Sequence, residues 1–175
     1  MSPAAQMRYG TRRQLRSAGL GPADLADLDQ LREAYEDFLR GKRSRADVEP
    51  LFRAASLQPW FELAWVPREP PEPGEWPDMD FDPAELIATL SCPVLAFFGE
   101  DDDWVPVDES IERWRAAAVT GGADLTVVRL PGTSHEPAER SGEVSRLYEE
   151  TLGDWVASVL REGTGARMDD TAPPS

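Results

Sequence analysis

The chain has 175 residues, 41% of them apolar, which fits one domain with a modest core, or one domain and a tail. Its 33 acidic and 18 basic side chains leave a formal charge of -15, so a phosphate backbone or an anionic membrane surface is repelled, and neither nucleic acid nor membrane is an expected partner. Cys92 is the only cysteine, which excludes an internal disulfide and a multi-cysteine zinc centre and suits a reducing cytoplasm. Met1 to Leu20 hold no apolar core of signal-peptide length, and Val94 to Phe98, the longest apolar stretch, is too short to span a bilayer, so no export or anchoring is expected of the chain as written.

The basic cluster Arg12, Arg13 and Arg16 reads as a solvated helix face. Between Gly21-Pro22 and Gly41, the apolar residues Leu25, Leu28, Leu31, Tyr35 and Phe38 recur at three- and four-residue steps, which predicts a helix with one stripe, closed by glycine. Ser44 with Asp47 resembles a helix-start pair, and Val48, Leu51, Phe52 and Ala55 give a second stripe that Pro59 ends. The two helices are expected to run antiparallel, as a helical segment over residues 1–60. Pro67, Pro70, Pro71, Pro73 and Pro77 then forbid regular structure, so 61–82 is predicted to be an extended linker on a surface. Trp60, Trp65 and Trp76 pin that segment to the core or line a cleft.

Asp82-Pro83-Ala84-Glu85 offers a capping aspartate and an N-terminal proline for a short helix running to Leu90. Pro93 to Phe98, stopped by Gly99, has the texture of a strand buried on both faces of a parallel sheet. A helix is predicted from about Asp108 to Val119, with Ile111, Trp114, Arg115 and Ala118 on one side and Gly121-Gly122 as its stop. Leu125 to Leu130 is the next strand. A last helix should bury Leu147, Tyr148, Leu152, Trp155, Val156 and Val159, and 161–175 reads as a disordered tail after an α/β portion over 83–160. Strand, helix, strand, helix is the unit of an open α/β sheet, and two strands alone leave unpaired edges that call for more strands elsewhere.

Function in such a sheet gathers where strands end at their carboxyl tips. The two loops there read Gly99-Glu100-Asp101-Asp102-Asp103-Trp104-Val105-Pro106 and Leu130-Pro131-Gly132-Thr133-Ser134-His135-Glu136-Pro137. They hold a cluster of carboxylates and the chain's one histidine. A carboxylate of the first loop can therefore accept a hydrogen bond from the imidazole of the second, fixing its tautomer. The aspartates also suit an ordinary turn or a weak calcium site.

The stretch from Cys92 to Pro106, with Pro131-Gly132-Thr133-Ser134-His135, resembles the end of an α/β-hydrolase of the esterase, thioesterase and serine-peptidase branch. The likeness covers about residues 90–160, and the part from Gly21 to Trp76 is loosely similar to the helical lid of such enzymes. It implies the C-terminal portion of an α/β-hydrolase sheet, two parallel strands with flanking helices, preceded by a lid-like segment. By position it makes Asp102 the triad acid and His135 the general base, with Asp101 and Asp103 as fallbacks, in the family's chain order. The family's Gly-x-Ser-x-Gly elbow does not occur in the 175 residues. Ser134 sits beside the base instead of on a strand-to-helix turn, and Cys92, before a proline, reads as a small buried hydrophobe. The implied activity is hydrolysis of ester, thioester or peptide bonds, with the serine and oxyanion hole supplied by a missing N-terminal half and an acyl compound as substrate. The chain alone is expected to be inactive. The alternative is a non-catalytic binding or regulatory remnant. No metal or other cofactor is implied.

Overall fold

A computed structural model describes residues 1–169 of the chain, with side chains through Arg161. It is a mixed α/β structure of six helices and two parallel strands: α1 (Pro3–Ser17), α2 (Pro22–Leu39), α3 (Arg45–Ala55), α4 (Ala84–Ile87), β1 (Val94–Gly99), α5 (Val107–Gly121), β2 (Leu125–Leu130) and α6 (Arg146–Asp169). By its internal contacts the chain divides into two compact units, residues 1–83 with 103–106, and 84–102 with those from 107 onward.

The first unit is helical. α1 begins at Pro3, where the missing amide costs nothing, and Ser2 Oγ accepts from the Ala5 amide at 3.4 Å. α2 and α3 fall where the apolar steps place them, and Ser44 caps α3 while Asp47 bonds back to the Ser44 amide at 3.0 Å. Leu15, Leu28, Phe38, Val48, Phe52 and Trp60 are shut away from solvent in one cluster. Each such side chain contributes roughly 1.5–3 kcal/mol by leaving water.

Most of the stretch over 61–82 is exposed and irregular, but not all of it is an extended linker on the surface. It forms a 3-10 turn, Phe61–Ala64, and sends Phe61, Ala64 and Met79 into the helical core. The prolines deny it a ladder, yet its apolar side chains still gain more by burial than by hydration. Trp60 is buried and Trp76 packs against the same cluster, whereas Trp65 is largely exposed.

Two charged side chains are buried in this unit. Both oxygens of Glu36 accept from Arg8 Nε, at 2.9 and 3.0 Å, and Arg40 Nη2 approaches to 3.4 Å. Arg32 donates to the carbonyls of Ala64 and Trp65, and burial pulls its guanidinium down to about 10. On α1, Arg13 and Arg16 are exposed and Arg12 partly so, as a solvated face requires, and two of the three carry ion pairs. Arg12 is paired with Asp29, and Arg13 Nε donates to Asp103 Oδ1 at 2.8 Å.

The second unit holds the sheet. β1 and β2 run parallel in register from Val94 opposite Leu125 to Gly99 opposite Leu130. Successive side chains leave a strand on opposite faces. Phe97 accordingly meets Tyr148 of α6, ring centroids 4.7 Å apart, while Phe98 meets Trp114 of α5 at 6.4 Å. Each face has a helix, but β1 is not buried on both faces throughout. Val94, Leu95, Phe97 and Phe98 stay partly exposed, because a sheet two strands wide gives its covering helices little to span.

The helices depart from expectation in detail. α5 turns Ile111, Ala117 and Ala118 inward, but Arg115 is exposed. On α6, Tyr148, Leu152, Trp155 and Val159 are partly covered, while Leu147 and Val156 are exposed at 44% and 41%. A helix meeting one narrow sheet face buries a single stripe, and those two lie off it. α6 also runs past Arg161, where a disordered tail was expected, as far as Asp169. Residues 170–175 lie outside the described residues.

Candidate active site at the strand tips

Because β1 and β2 end level, the loops that follow them leave side by side. Backbone bonds then join the two loops: the Glu100 amide donates to Leu130 O at 3.1 Å, and the Asp101 amide to Thr133 O at 3.0 Å. Asp102 turns back so that its own amide reaches Gly99 O at 3.3 Å. Thr133, fully buried, donates its hydroxyl to Leu130 O at 3.0 Å and fixes the second loop from within.

The outcome is a direct contact between Asp102 Oδ2 and His135 Nδ1 at 3.0 Å. The Asp102 side chain is 7% exposed and that of His135 52% exposed. A carboxylate has only acceptors, so the hydrogen of this contact belongs to Nδ1, and in the neutral tautomer of the ring Nε2 then carries the lone pair. The buried acid holds the ring, and the ring presents itself to solvent. Beyond His135 the chain folds back through bridges pairing Thr133 with Glu139 and Ala138 with Val144, and the Ser145 amide donates to Pro137 O at 2.8 Å. This ties the histidine loop at both ends.

The three aspartates have different partners. Asp101 accepts from Arg140 Nη2 at 3.3 Å, Asp102 faces His135, and Asp103 belongs to the helical unit, bound by Arg13. Three carboxylates turned to three partners do not converge on one ion. Among the described residues no group of three or more His, Cys, Asp or Glu side chains is arranged to hold a metal.

Ser134 is exposed beside His135 on the same loop. Cys92 is exposed, contrary to the expectation of a buried hydrophobe, because it precedes Pro93 and the ladder begins only at Val94. Thr133 and the tight packing at Gly99 support the site and were not singled out by sequence. A threonine between Gly132 and Ser134 looks like any loop residue, and only the level ends of the strands show that it must turn inward. Among the described residues no helix is long and apolar enough to cross a membrane. No family model matches the chain, and neither does any curated protein or solved structure.

Proposed function

We propose that the chain is the C-terminal portion of an α/β-hydrolase-type serine hydrolase acting on ester, thioester or peptide bonds in a reducing cytoplasm, and that it supplies the triad acid Asp102 and base His135. The observation that carries this reading is the 3.0 Å contact between a buried carboxylate and a half-exposed imidazole at neighbouring strand tips. In the complete enzyme Nε2 takes the hydroxyl proton of a serine as its oxygen attacks the acyl carbonyl. His135, now imidazolium and stabilised by Asp102, returns that proton to the leaving group; water that His135 deprotonates then attacks the acyl-serine, and His135 passes the water's proton to the departing serine oxygen. Serine and oxyanion-hole amides come from outside these 175 residues, which contain no Gly-x-Ser-x-Gly.

The test is to read the genomic DNA upstream of Met1 for that motif, in frame or across one frameshift, and to express the joined product. The joined protein should hydrolyse p-nitrophenyl acetate, the chain alone should not, and His135→Ala should lower the rate at least about a thousandfold. A loss below about tenfold would rule out His135 as the base.

The missing nucleophile favours one other reading, a non-catalytic binding or regulatory remnant of such a fold. It requires a folded chain without esterase activity that retains a protein partner in a pull-down. Activity that vanishes with His135 would end it.

A further inference from the structure

Where α5 ends and β2 begins, the sheet unit holds an open pocket of about 420 Å³ that the hydrolase reading leaves unused. Arg115, Ala118, Val119 and Gly122 line it at steps of three and four residues along α5 and just past its end, and Ala123 and Leu125 complete it on the way into β2. Arg115 is the one charged side chain in an otherwise apolar lining, and Val119, 84% exposed, is a large hydrophobe left in water. Arg113, Arg129, Arg140 and Arg146 of the same unit each meet a carboxylate, those of Glu109, Asp108, Asp101 and Glu150. Among the described residues no carboxylate lies within 4.0 Å of the exposed Arg115 guanidinium, in a chain with 33 acidic and 18 basic side chains. An exposed arginine without a partner is ordinary by itself. Beside an apolar pocket it supplies the one charge that an amphipathic anion needs.

We propose that this pocket binds a small apolar monocarboxylate, its carboxylate on the Arg115 guanidinium and its hydrocarbon chain over Val119, Gly122 and Leu125. The planar guanidinium offers a carboxylate two parallel N–H donors, which fixes the head group. The carbonyls that end α5 carry partial negative charge, so the head belongs at Arg115, a turn and a half before that end, and the uncharged chain belongs beyond it. A pocket of this volume lies near the small end of ligand sites and suits an acid of about six carbons. A second negative group is selected against, since one arginine answers one charge and the chain as a whole, at -15, repels more.

The experiment titrates the full chain, labelled with ¹⁵N, with hexanoate, 1-hexanol and hexylammonium in turn. The expected result is a saturable shift of the Val119, Gly122 and Leu125 amide resonances by hexanoate with Kd of about 1 mM, and binding of the alcohol and the amine weaker by at least about fivefold. Arg115→Gln should weaken hexanoate about fivefold and leave 1-hexanol unchanged, because only the charged head loses its partner. Val119→Glu sets a carboxylate one turn from Arg115, where it competes for the guanidinium, and should abolish hexanoate binding. Both substitutions fall on exposed residues, so the thermal midpoint should stay within about 2 °C. No saturable shift up to about 50 mM hexanoate, equally tight binding of the alcohol or the amine, or hexanoate binding untouched by either substitution would each overturn the proposal. None of these results bears on Asp102 or His135.

Discussion

A Cβ placed on Gly99 would lie 1.9 Å from the carbonyl oxygen of Ser134, and 2.6 Å from that of Thr133. No side chain fits there, because the histidine loop crosses directly over the end of β1. Gly99→Ala should therefore force the loops apart, lower stability by at least about 1–3 kcal/mol in urea unfolding, and shift the His135 ring resonances. Gly153→Ala is the control. That glycine sits within α6 with nothing inside 4 Å of an added Cβ, so the change should stabilise by up to about 1 kcal/mol.

Only one of the three adjacent aspartates touches the imidazole, and on the hydrolase reading proposed above the joined protein should report this in its rate. Asp102→Asn should lower kcat for p-nitrophenyl acetate by about a thousandfold or more, since an amide at that position no longer selects the tautomer that leaves Nε2 basic. Asp101→Asn and Asp103→Asn, which lose exposed ion pairs with Arg140 and Arg13, should stay within about threefold of the parent.

Glu36 is completely buried between Arg8 and Arg40. Glu36→Ala removes the carboxylate that both guanidiniums share, and the expected loss is about 3 kcal/mol, the low end for a broken buried pair because both arginines reach solvent. Glu36→Gln should lose less. Equilibrium urea unfolding with an unchanged slope and a lowered midpoint is the check.

The hydrogen bond from Arg40 Nε, 2.6 Å from Asp80 Oδ2, holds the Asp80 carboxyl below its ordinary value of 3.8. A carboxyl depressed by folding adds stability that is fully present above its unfolded value and is lost as pH falls through the folded one. The stability difference between the parent and Asp80→Asn should therefore be constant at neutral pH and shrink as pH falls below 3.8. A difference that grew on acidification would contradict this assignment.

How legible the molecule was in its sequence depended on what each element buries. α2 and α3 announce themselves because apolar residues recur along them at three- and four-residue steps, and β1 and β2 because each is a short run rich in Val, Leu and Phe. α1 is silent, since its buried face is Ala4, Gly10, Thr11 and Leu15, and a glycine packed beneath Trp104 carries no apolar signal. The buried Glu36 and Arg32 are equally invisible, because pairing hides polar residues that periodicity assigns to solvent. Asp102 and His135 could be brought near each other by chain order and strand ends alone. Choosing Asp102 over its neighbours needed the family likeness, for spacing does not say which of three consecutive carboxylates turns inward.

The level end of the two strands also limits which changes of chain length the molecule can absorb. Asp102 stands three residues past Gly99 and His135 five past Leu130, so one inserted residue in either span displaces acid from imidazole by more than the reach of a hydrogen bond. The bend over 139–142, an exposed reverse turn, can lengthen without touching either group. Indels that spare the pair thus belong at that bend, and a single codon gained between Leu130 and His135 is as damaging as losing the histidine.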